Sequence, residues 1–203
     1  MFGKLTRSRP EAGTLPSGGA DWSRHRRLDD AARAYFVNPD IALTAIHGVL
    51  GRRKIRGFTL ERVVDINEKG ASLWQEAAIL DDHRLLLWHS EDLAAEDDST
   101  DGPTMDSSVQ IVPLESISHI GMRTLVGRDE AGKPTDHGAY LVAATGSLHE
   151  LTTIQSGEDA PPSARFRQEA FRFSKTVEED GAGQVARLVD FGRTFGRLVP
   201  HAR

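Results

Sequence analysis

The chain reads as an α+β protein: a mainly antiparallel β-roll closed by a C-terminal helix and preceded by a helical hairpin. Three observations predict this. Apolar spacing changes from roughly 3.6 residues to roughly 2 near Phe58, the change expected where helix gives way to strand. Short apolar segments then recur at hairpin-like intervals, which favours antiparallel pairing over a parallel α/β layout. Helical spacing returns only near residues 181–199.

Residues 1–20 contain Pro10, Pro16 and a cluster of glycine and serine from Gly13 to Gly19. Few apolar groups are present to offset chain entropy, so a disordered tail is expected. Residues 21–57 form the hairpin. Asp21 or Ser23 is placed to cap a first helix, with Leu28, Ala32 and Tyr35 on one face. Asn38-Pro39 reads as a stop and a restart, with Asn38 as N-cap and Pro39 at the first helical position. Leu43, Ile46 and Leu50 make the second stripe, and Gly51 ends it. Arg52, Arg53, Lys54 and Arg56 follow, near the negative end of that helix dipole.

The unit 58–203 carries strand candidates at 58–67, 72–80, 84–89, 108–113, 117–127, 138–145, 147–154 and 166–174. Turn signals separate them at Asn67–Gly70, Asp81-Asp82, Gly127, Gly138 and Thr145-Gly146-Ser147. Two long loops interrupt the ladder: an acidic stretch at 90–107 without a Lys or Arg, and 155–164 with Gly157, Pro161 and Pro162. Loops of that length are functional or disordered. In the last helix, Leu188, Phe191, Phe195 and Leu198 form an apolar seam, and Gly192 and Gly196 sit beside it. Each glycine costs roughly 1 kcal/mol of helix propensity, which a close approach to the sheet would offset.

Length and composition bound the rest. A chain of 203 residues has room for one domain, with or without an appended subdomain. Without cysteine, disulfides, thiolate metal sites and cysteine nucleophiles are excluded. No apolar run approaches the roughly 18 residues of a membrane span, and no secretory signal is visible, so a cytoplasmic setting is expected. Charge is uneven: residues 1–57 hold 11 Lys or Arg against 5 Asp or Glu, and residues 58–203 hold 14 against 25. The simplest account is a basic helical segment docked on an acidic body.

Several of these segments are familiar. The turn and strand Leu80–His89, the re-entry Val112-Pro-Leu-Glu-Ser-Ile117 and the closing helix resemble bacterial pleckstrin-homology-like and GRAM-like domains. The hairpin ending in Tyr35-Phe-Val-Asn-Pro39 resembles a family of uncharacterised actinobacterial proteins about 200 residues long. Together the likeness spans roughly residues 28–199. It implies a curved roll with one end plugged by the last helix, and it carries over no catalytic residues. Phosphoinositide-binding relatives use a basic loop between the first two strands. Here that turn, Asn67-Glu68-Lys69-Gly70, sets one base beside one acid and departs from the pattern.

Polar clusters that suggest chemistry have simpler readings. Asp81-Asp82-His83-Arg84 could offer a carboxylate beside an imidazole, yet Asp at a turn satisfies local N–H groups, and adjacent strand residues face opposite ways. Asp97, Ser99, Asp101 and Gly102 match the first half of a calcium loop, but its closing position falls on Ser108, where a bidentate Glu is needed. His83 and His89 stand about 20 Å apart along one strand and cannot share an ion. His119, His137 and His149 could meet only through tertiary structure. No phosphate-binding glycine loop or nucleophile elbow is present. No cofactor and no metal site is expected.

The expected function is therefore a non-catalytic binding or scaffold module with a protein partner. The candidate binding residues are Arg52, Arg53, Lys54, Arg56 and Arg84. A peripheral adaptor on anionic membranes, led by the basic hairpin, is the alternative, and an enzyme of unrecognised type is the third reading. Nucleic acid fits less well: Arg24, Arg26 and Arg27 extend the basic set, but the body is acidic and no aromatic stacking motif accompanies it.

Overall fold

The computed structural model describes residues 21–67, 70–92, 105–154 and 163–200. The expected tail 1–20, the calcium-like run 97–102 and most of both long loops lie outside the described residues.

The chain enters through a 3₁₀ turn, Trp22–Arg24, where the Asp21 carboxylate accepts the Ser23 N–H at 3.0 Å. Asp21 thus caps this turn and not the first helix, α1 (Leu28–Tyr35), whose N-cap position is Arg27 without a side-chain cap. Helix α2 (Pro39–Leu50) starts as expected at Asn38-Pro39, with Asn38 left-handed at φ 56°. It ends at Gly51, whose φ of 62° a side chain would disfavour.

Two antiparallel sheets follow. The first is a four-strand meander of β1 (Gly57–Asn67), β2 (Gly70–Leu80), β3 (Arg84–Asp92) and β4 (Met105–Pro113). A 3₁₀ turn, Leu114–Ser116, then redirects the chain at the Pro-Leu re-entry. The second sheet holds β5 (Ile117–Arg128), β6 (Pro134–Ile154) and β7 (Ser163–Thr176). A short helix α3 (Val177–Asp180) leads into α4 (Ala182–Leu198). The α+β class and the closing helix are as expected, while the two sheets remain separate and do not close into a barrel.

Eight strand candidates become seven strands among the described residues. Thr145-Gly146-Ser147 is not a turn: β6 runs through it with a register shift between Ala144 and Leu148 against β7, an irregularity that a glycine accommodates. Gly127 and Gly138 are not turns either, because they sit in β5 and β6. The β5–β6 turn is made by Asp129, whose carboxylate accepts the N–H groups of Ala131 and Lys133 at 3.0 and 2.8 Å.

The first sheet is buried on both faces. Ala77, Ile79, Leu86 and Trp88 face the helical hairpin and pack with Trp22, Tyr35, Phe36 and Ile46. Ala78, Leu80, Leu85 and Leu87 face the other way, into a second core with Leu141, Phe171, Leu188 and Phe195. Period-two alternation thus serves two cores from one sheet. The hairpin is fixed by polar contacts as well. Gln75, fully buried, accepts the Val37 N–H at 2.6 Å and donates to its carbonyl at 3.1 Å. Arg62 donates to the Tyr35 carbonyl at 2.8 Å.

Candidate functional site

Where α2 ends, the chain must cross from the hairpin to β1, and residues 51–56 make that crossing along the surface. The start of α1, the end of α2, this crossing and the middle of α4 enclose a cleft of about 610 Å³. Its walls carry Arg26 and Arg27 from the lead-in to α1, Arg52, Arg53 and Arg56 from the crossing, and Arg187 from α4. Leu50, Ile55, Phe58 and Phe191 supply apolar lining.

Six arginines face two aspartates there, and both aspartates are engaged with other side chains. Asp29 meets His47 at 2.9 Å, and Asp190 meets Arg193 at 3.4 Å. Arg56 is tied through its Nε to Asp82 at 2.6 Å. The side chains of Arg26, Arg27, Arg52 and Arg53 make no hydrogen bond or ion pair with a described residue. The result is an outward field of positive charge in a concave setting, which raises the local concentration of anions.

Arg187 differs from the rest. It is half-buried, and its guanidinium lies 4.7 Å from the Phe58 ring centroid and 5.5 Å from that of Trp22. Stacking on two rings sets its plane. Burial first, and then the charge of Arg26, hold its pKa below the ordinary arginine value.

Of the residues singled out from sequence, Arg52, Arg53 and Arg56 line this cleft and Lys54 is exposed beside it. Arg84 is elsewhere. Its Nε and Nη2 both lie 2.8 Å from the Asp81 carboxylate, which also accepts the N–H groups of His83 and Arg84 at 2.7 Å. Burial raises the Asp81 pKa, but these donors more than reverse it, so the carboxylate titrates below its ordinary range. The Asp-Asp-His-Arg cluster is a turn. Arg187 was missed because a helical arginine beside an apolar seam has the signature of a solvated face.

Among the described residues, His47 pairs with Asp29, His89 with Glu76, and His137 with Thr135. The His149 side chain lies outside the described set. Among the described residues, no three His, Asp or Glu side chains are grouped to hold a metal ion. No helix among them is long and apolar enough to cross a membrane. Comparison with protein-family models, curated proteins and solved structures gives no significant match.

Proposed function

We propose that the chain is a non-catalytic binding module of the cytoplasm, built on a pleckstrin-homology-like roll, and that it engages an acidic protein partner through the arginine cleft. A meander of four strands, a meander of three and a closing helix support the roll. The observation that carries the binding role is a concave wall of six arginines, of which Arg56 alone is ion-paired with a carboxylate among the described residues. Asp81, His89 and Lys175, three of the groups with shifted pKa values outside the cleft, are engaged in internal pairs, which favours binding over catalysis there.

A second reading, docking on anionic membranes, draws on the exposed rim of Arg52, Arg53 and Lys54, each worth about 1 kcal/mol near such a surface. The large exposed apolar residues, among them Val37, Ile111, Leu125 and Tyr140, do not line the cleft, so none supports insertion there.

The test is capture of partners by the full chain and by Arg52→Glu/Arg53→Glu at physiological salt. A reproducible partner that the double variant loses, and that high salt releases, is the expected result. No partner, or capture indifferent to the charge reversal, would overturn the reading. Sedimentation with phosphatidylserine vesicles that the same variant abolishes would favour the membrane.

A further inference from the structure

We propose that Arg26 and Arg187 clamp a phosphate monoester, so that the segment of the partner protein entering the cleft is a phosphorylated one. This rests on the cleft being the protein-binding site. The two arginines line the same cleft, one from the lead-in to α1 and the other from α4, and the Arg26 charge acts on Arg187. Neither lining aspartate is ion-paired with either of them, although the Asp190 charge reaches Arg187: Asp29 is on His47 and Asp190 on Arg193. The Arg187 side chain makes no hydrogen bond to a described residue and is oriented by Phe58 and Trp22.

Charge decides between the acidic groups a protein can offer. A Glu or Asp side chain brings one negative charge and two oxygens. It can meet one guanidinium well and leaves the second uncompensated. A phosphate monoester carries about 1.5 to 2 negative charges near neutral pH and three acceptor oxygens. It can take paired hydrogen bonds from two guanidiniums at once. Burial of Arg187 strengthens that preference, because an uncompensated charge is costlier away from water.

Shape points to a carrier larger than free phosphate. A volume of about 610 Å³ leaves room for neighbouring residues of an extended segment, along Leu50, Ile55 and Phe191. On the crossing, Arg52 and Arg53 keep the rest of the cleft positive. The large exposed apolar side chains lie away from the cleft, which disfavours a lipid-borne phosphate as the source.

The experiment is a calorimetric titration of the full chain with short alanine peptides carrying a central phosphoserine, serine or glutamate. Inorganic phosphate and phosphatidylcholine vesicles doped with phosphatidic acid are further probes. The phosphoserine peptide is expected to bind at least roughly tenfold more tightly than the glutamate peptide, the scale of one lost charged hydrogen bond. Arg187→Gln and Arg26→Gln should each erase that preference. Arg26 is exposed, so its variant reports on the clamp even where Arg187→Gln misfolds. Equal binding of the phosphoserine and glutamate peptides, lost in Arg52→Glu/Arg53→Glu, would overturn the phosphate claim and leave the protein-binding site standing. Inorganic phosphate binding as tightly as the phosphopeptide would reduce the clamp to a free-anion site. Binding only to the doped vesicles would move the site to membranes. Silence with every probe would overturn the cleft as an anion site altogether.

Discussion

At the scale of single residues, buried charge in this protein holds elements together. Lys175 on β7 is almost fully buried, with Nζ 2.7 Å from Glu61 on β1 and 3.0 Å from Asp180 on α3. Burial alone would lower its pKa. The charges of Glu61 and Asp180 more than offset that and hold it above the ordinary lysine value. His89 is the residue that can report on pH. Its Nδ1 lies 3.0 Å from Glu76, and this hydrogen bond, opposed by burial and aided by the charges of Glu76, Glu91 and Asp106, raises its pKa above the ordinary 6.5. A group whose folded pKa is raised adds stability that is complete below its unfolded pKa and disappears as pH rises through the folded value. The urea midpoint of the native chain should therefore fall as pH rises from below 6.5 through the raised His89 value. In His89→Gln that slope should flatten. An unchanged slope in the variant would assign the pH dependence to another group.

At the scale of elements, α4 shows how two similar glycines differ. A Cβ at Gly192 would fall 2.8 Å from the Met122 sulfur and 3.3 Å from Leu141 Cδ1, while one at Gly196 would meet nothing within 4 Å. Gly196→Ala should then stabilise the protein by roughly the helix-propensity difference, up to about 1 kcal/mol. Met122 is half-exposed and can swing aside, but Leu141 is fully buried and cannot. Gly192→Ala should gain little, and Gly192→Val should cost about 1–3 kcal/mol through overpacking. Thermal melts of the three variants test this, and equal stabilisation by both alanines would refute the packing argument. The helical seam was legible in sequence because it depends on local spacing. What opposes each position was not, since Gly192 meets β5 and β6 whereas Gly196 is open. Thr145-Gly146-Ser147 failed as a turn for the same reason. Pairing with β7 on both sides of it carries β6 through, and a partner strand is a nonlocal fact.

At the scale of the whole molecule, the site follows the same division. Arg52, Arg53 and Arg56 are neighbours along the chain and could be read as a cluster, whereas Arg187 joins them only because α4 packs beside the start of β1. The same docking bears on how the protein unfolds. The helical hairpin is not a separate layer with a core of its own: its apolar residues share a cluster with Ala77, Ile79, Leu86 and Trp88 of the first sheet. That sheet's other face is half of the second core. A loss on one side should therefore be felt on the other, and the chain should unfold as one cooperative unit. Leu188→Ala provides the test. Leu188 lies in the second core, while Trp22 and Trp88 lie in the first and report on it by fluorescence in a Trp74→Phe background, which removes the third tryptophan. Removing that buried side chain should cost about 2–5 kcal/mol. If the cores are coupled through the shared sheet, tryptophan fluorescence and far-ultraviolet circular dichroism should shift to the same lower urea midpoint. A fluorescence transition that stays in place while the dichroism moves would show instead that the hairpin and its face of the sheet unfold on their own.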